Sequence, residues 1–146
     1  MKTKTALFLS ALSLSLSGAW ATQVQADCGH CSEAPAQAHA YIISPQHGET
    51  VDQTFTVKFG LKGMGVAPAG TDRKHTGHHH LLVDAEELPP MDKPMSNEVK
   101  HFGGGQTETT LTLEPGKHTL QLILGDMKHQ PHNPPVVSEK ITITVK

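Results

Sequence analysis

The sequence predicts an all-β protein, an immunoglobulin-like sandwich of about seven strands with long loops rich in His, Gly and Pro. Three observations predict it. Apolar and polar residues alternate with period two, most cleanly in residues 54–62, where Phe55, Val57, Phe59 and Leu61 share one face and Thr54, Thr56 and Lys58 the other. Turn signals built from Gly and Pro separate such runs, and no stretch after the N-terminal region carries a helical 3.6-residue period. Short alternating strands with turns between them are the pattern of a sandwich with one half-buried face per sheet.

The chain is expected to begin with a segment that is removed. Lys2 and Lys4 precede an uncharged run over residues 6–16, and Ala19-Trp20-Ala21 has the small-x-small form cut by a signal peptidase, so residues 1–21 read as a secretory signal peptide. A second possible cut follows Ala26, and Asp27 before Cys28 argues against lipid attachment there. No later stretch approaches the roughly 18 apolar residues of a membrane helix, so a periplasmic or secreted chain without a membrane span is expected. Residues 22–40, with Ala, Gln, Ser, Glu and Pro and little to bury, read as a flexible leader. It contains Cys28-Gly29-His30-Cys31, a C-x-x-C pair with the inner residues of disulfide isomerases. Those enzymes place the pair at the start of a helix within a βαβ layout, which this sequence lacks. A local disulfide, a secondary metal site of Cys28, Cys31 and His30 with His39, and a redox pair all stay open.

Residues 41–146 read as the sandwich. Tyr41, Ile42 and Ile43 lead into a Ser-Pro turn, and the alternating run over residues 54–62 follows. A loop over residues 63–74 delivers the chain to Gly77-His78-His79-His80-Leu81-Leu82-Val83-Asp84, read as a strand in which His78 and His80 share a face with Leu82 while His79 joins Leu81 and Val83 on the other. Residues 85–105 form a second loop, too long to be a mere connection. Residues 106–113 and 118–124 alternate on either side of Glu114-Pro115-Gly116-Lys117, which predicts a hairpin. A third loop, residues 125–135, leads to a last strand over 136–145 that buries Val137, Ile141, Ile143 and Val145.

Composition narrows the function. Without Lys2 and Lys4, ten basic residues face 14 acidic ones, a net charge of −4 with histidine neutral, which argues against nucleic-acid binding. All 11 histidines follow the signal segment. Two imidazoles two residues apart on a strand are spaced to grip one ion when loops bring further ligands. The candidate metal set is His78, His80, His129 and His132, with His101 and Met127 as additional ligands, on the expectation that loops meet at one end of the sandwich. Imidazoles suit zinc or Cu(II), and thioethers from Met64, Met91, Met95 and Met127 tilt the choice toward copper. Gly103-Gly104-Gly105 lacks the Lys-Ser/Thr and following helix of a phosphate loop, and no Ser-His-Asp arrangement stands on a strand-to-helix turn, so no catalytic residue is assigned.

Four segments, residues 77–84 (GHHHLLVD), 101–108 (HFGGGQTE), 115–122 (PGKHTLQL) and 132–136 (HNPPV), resemble a family of exported bacterial proteins known as a domain of unknown function. The resemblance spans about residues 40–146 and implies a small periplasmic β-rich domain, without a ligand or activity to carry over. Three functions stand: metal handling, copper before zinc; an interaction module for an envelope protein partner, with structural histidines; and a thiol redox accessory through Cys28 and Cys31.

Overall fold

The structure, a computed structural model, describes residues 32–146. The signal segment, most of the leader, and Cys28, His30 and Cys31 lie outside the described residues. Nine strands run in order: β1 (His39–Ser44), β2 (Thr50–Val51), β3 (Thr54–Lys62), β4 (Gly65–Val66), β5 (Thr76–Val83), β6 (Lys100–His101), β7 (Glu108–Thr112), β8 (Gly116–Gly125) and β9 (Ile141–Val145). There is no helix among the described residues, and so none long and apolar enough to cross a membrane.

The strands form two sheets, β1-β3-β7 and β2-β9-β8-β5-β4, with β6 added beside β5. Between them lies the main core, where Val57, Phe59 and Leu111 of the smaller sheet meet Leu81, Leu120, Leu122, Leu124 and Ile143 of the larger. The all-β sandwich is as the alternation predicts. The three two-residue strands were invisible to a reading that needs several alternating positions, and the six longer ones correspond to the expected runs.

Two elements differ from expectation. Residues 106–124 are not a hairpin: β7 pairs with β3, while β8 pairs with β5 and β9, so the turn at Pro115-Gly116 carries the chain from one sheet to the other. An arch and a hairpin share the same alternation and the same turn residues, and both put Leu111 opposite the β8 leucines. The last strand starts at Ile141 rather than residue 136, because Val136 and Val137 are held by β8 at their own level. The Val136 carbonyl accepts from Leu124 N–H at 2.9 Å, and Val137 bridges to Ile123. Residues 32–40, read from composition as leader, engage the fold: Ala34 is buried in the main core and its N–H donates to the Asn133 carbonyl at 3.0 Å.

The strand that positions the site is β5. It is paired along its length with β8 on one side and with β4 and β6 on the other, and residues 77–82 are all buried. Register puts His79, Leu81 and Val83 opposite Leu124, Leu122 and Leu120, the core-facing set. His78, His80 and Leu82 therefore face outward, opposite Gly125, Ile123 and Gln121. That outer face is not left to water: Leu82, Ile123 and Val99 form a second apolar cluster with Ala85, Met91, Met95 and Val137 packed on it from the loops.

Candidate metal centre

Four histidines converge on the outer face of the larger sheet. His78 and His80 come from β5 as i, i+2 neighbours. His101 comes from β6, whose register sets it directly opposite His80, and the two rings stack with centroids 5.1 Å apart. His129 comes from the loop after β8. The closest pair of centroids is His101–His129 at 4.6 Å and the most distant His80–His129 at 6.1 Å, so all four rings surround one point. His78, His101 and His129 each offer a ring nitrogen, all within 4.8 Å of one another.

Local structure brings each ring in. Gly125 lets His80 lean across β8: a Cβ there would lie 2.6 Å from His80 Cε1 and 2.8 Å from Met95 Cε. The His101 ring occupies the space a Cβ on Gly103 would fill. His129 stands in the left-handed region, φ 67°, at the end of a tight turn. The buried Asp126 carboxylate builds that turn: Oδ1 accepts from the N–H of Lys128 (2.8 Å) and of Gln130 (3.0 Å), and Oδ2 accepts from the Ser32 hydroxyl (2.9 Å). The turn closes with His129 N–H donating to the Asp126 carbonyl at 3.0 Å. The His129 carbonyl in turn accepts from Met95 N–H at 2.9 Å, which ties the second long loop to the third over the cluster.

The electrostatics disfavour the protonated form of His78, His80 and His101. His78 is lowered to about 4, first by burial, then by the neighbouring charges His101 and His129 would carry, with the Asp126 carboxylate opposing. His80 is lowered to about 3, again by burial first and then by His78, His101 and His129. His101, exposed, is held below its ordinary value by partial desolvation and by His129. Both ring nitrogens of His78 and Nδ1 of His80 are buried without a hydrogen-bond partner. An orphaned buried polar atom costs roughly 1–3 kcal/mol. A neutral imidazole with an unengaged nitrogen is what a transition metal binds, so the residues fit a metal ion. Two nitrogens on one tetrahedral zinc stand about 3.4 Å apart if each bond is about 2.1 Å, so the three nitrogens, within 4.8 Å of one another, would have to draw closer to hold one.

The cluster thus contains His78, His80, His101 and His129. It does not contain His132, which is buried with Nε2 facing the Thr76 carbonyl at 3.2 Å and Nδ1 facing that of Leu124 at 3.4 Å, pinning the start of β5 to the end of β8. Nor is Met127 among the residues lining the small cleft, about 180 Å³, at the cluster; Met95 lines it with His80, Ser96, Asn97, His101 and His129. The loop before β5 was expected at the site; its backbone bonds instead reach the second and third loops, Ala69 N–H donating to Gly103 O at 2.8 Å and Gly70 N–H to Met127 O at 2.9 Å. The four rings gather on a sheet face rather than at the end of the sandwich. His79 lies on the opposite face against Phe59, centroids 5.3 Å apart, and burial lowers it too. Asp126 and Gly125 were missed; the spacing Asp126-x-x-His129 after a glycine was the available signal.

No curated protein and no solved structure matches the chain. A family model does, over residues 57–146, from within β3 through β9 and including all four clustered histidines. The chain belongs to the family described as Domain of unknown function (DUF4399).

Proposed function

We propose that this domain is an exported metal-binding module whose ion, copper before zinc, is held by His78, His101 and His129 with His80 beside them. The observation that carries the reading is the pair of unpartnered nitrogens on His78, fully buried yet facing three other imidazoles. Core packing alone has no use for imidazoles placed like His78 and His80, since both ring nitrogens of the one and Nδ1 of the other lose their water and gain no hydrogen bond in exchange. Coordination replaces that loss with metal–nitrogen bonds. The signal-peptide features of residues 1–21 support export to the periplasm, where such a module meets metal ions outside the cytoplasm.

Calorimetric titration of chelator-stripped protein with Zn(II), Cu(II) and, under reductant without oxygen, Cu(I), paired with thermal melts, tests the proposal. One ion per chain with affinity at about micromolar or tighter raises the melting temperature by mass action, and His78→Ala with His129→Ala removes both the heat and the shift. Binding that survives the double substitution, or no binding to any of the three ions, overturns it.

A further inference from the structure

We propose that the site is selective for Cu(I) and that the Met95 thioether is a ligand to it, an inference that rests on the metal-binding reading above and adds to it the oxidation state and a residue. Three observations carry it.

The available donors are neutral. The cluster brings imidazoles only, and the carboxylate that acts on His78, Asp126, spends both oxygens on the Lys128 and Gln130 N–H groups and the Ser32 hydroxyl. Among the described residues the cluster holds no anionic ligand to offset a second positive charge on the ion.

The surroundings are dry on one side. Leu82 and Ile123, beside His80 on the same sheet face, are buried together with Val99, and Met91, Met95 and Val137 pack on them. Moving an ion from water into such a place costs more for a doubly than for a singly charged ion.

A soft donor stands at the boundary. Met95 lines the cleft together with His80, His101 and His129, and its Cε and the His80 Cε1 both crowd the space above Gly125. Its backbone is fixed there by the bond to the His129 carbonyl. Neutral nitrogen donors with a thioether, in a water-poor setting, match the softer, singly charged cuprous ion rather than Zn(II) or Cu(II).

The test is Cu(I) affinity by competition with bicinchoninate under a reducing, oxygen-free atmosphere, beside Zn(II) affinity. It uses the exported chain carrying Cys28→Ser and Cys31→Ser, so that no thiolate competes. Met95→Leu conserves volume and is expected to weaken Cu(I) by about tenfold or more while leaving Zn(II) within about threefold. Unchanged Cu(I) affinity in that variant overturns the proposal. So does equal weakening of both ions, which would assign Met95 only to holding the His129 loop, and so does a parent protein that binds Zn(II) but not Cu(I). A parent that binds no metal at all fails the metal-binding reading first. X-ray absorption of the Cu(I)-loaded parent gives a readout independent of the variant's folding: a sulfur neighbour on copper is expected, and nitrogen neighbours alone contradict it.

Discussion

His78 and His80 are costly residues for a sheet that has no metal. Both are buried, both lack partners for ring nitrogens, and both are held far below the ordinary imidazole value by burial. Replacing such groups by apolar ones of similar size is often neutral or stabilising, because the desolvation cost disappears with them. His78→Leu/His80→Leu is therefore expected to raise the melting temperature of the metal-free chain while abolishing the shift that metal gives; a lower metal-free melting temperature would show that the imidazoles are satisfied as they stand. The same residues set a pH dependence. The unfolded chain takes up protons on them near 6.5, the folded chain only near 4 and 3, so between those values the unfolded state binds more protons and stability falls as pH falls. Stability of the metal-free protein should be level above about pH 7 and decline from 6.5 toward 4, and the double Leu variant should flatten that slope. His118 has the opposite sign: its bond to Asp84, 2.7 Å from Nδ1 to Oδ2, raises it. Its contribution is present below 6.5 and fades as pH rises through the raised value, but with Asp84 half exposed it is a minor effect against the buried pair.

Among the elements, β5 and the turn after β8 decide whether the four rings meet. Gly125→Ala adds a methyl where His80 and Met95 converge. Both obstacles are side-chain ends, so the strand tolerates it better than the site does. Metal affinity is expected to drop by about tenfold or more, with stability changed by less than about 1.5 kcal/mol; titration and denaturant melts of the one variant check both, and unchanged affinity would remove Gly125 from the account. Asp126→Ala orphans the Lys128 and Gln130 amides and frees the Ser32 hydroxyl, so the His129 turn loses its template. It is expected to destabilise by about 1–3 kcal/mol and to weaken metal by a further ~10- to 100-fold beyond what partial unfolding explains. The strands were legible at this scale, because period-two alternation in residues 54–62 and 77–83 reports burial directly. Pairing was not. The turn at Pro115-Gly116 looks the same whether it closes a hairpin or arches between sheets, and only the competition of β3 for β7 and of β5 for β8 decides it.

For the molecule as a whole, the consequence of this layout is that one ion would fasten three parts of the fold: the centre of the larger sheet through His78 and His80, the second long loop through His101 and Met95, and the third through His129. Metal loading is expected to slow amide exchange in residues 93–101 and 126–132 together, while the main core between the sheets, already closed, changes little. Slowing confined to one loop would mean the ion is held there and not by the cluster. Of the site, the histidine strand and His101 and His129 were legible as residue types at useful positions. His132 looked like a ligand because it shares a loop with His129, and only the depth of burial shows it turned to the backbone carbonyls of Thr76 and Leu124. Met127, not Met95, was the methionine expected at the site, and the hydrogen bond between loops that favours Met95 is a tertiary fact. The most direct test of the central claim is pulsed electron paramagnetic resonance of the protein loaded with one equivalent of Cu(II). The account predicts nitrogen couplings from at least three imidazoles, with one coupling lost in His101→Ala and another in His129→Ala. Couplings from one or two imidazoles, unchanged by either substitution, would contradict it.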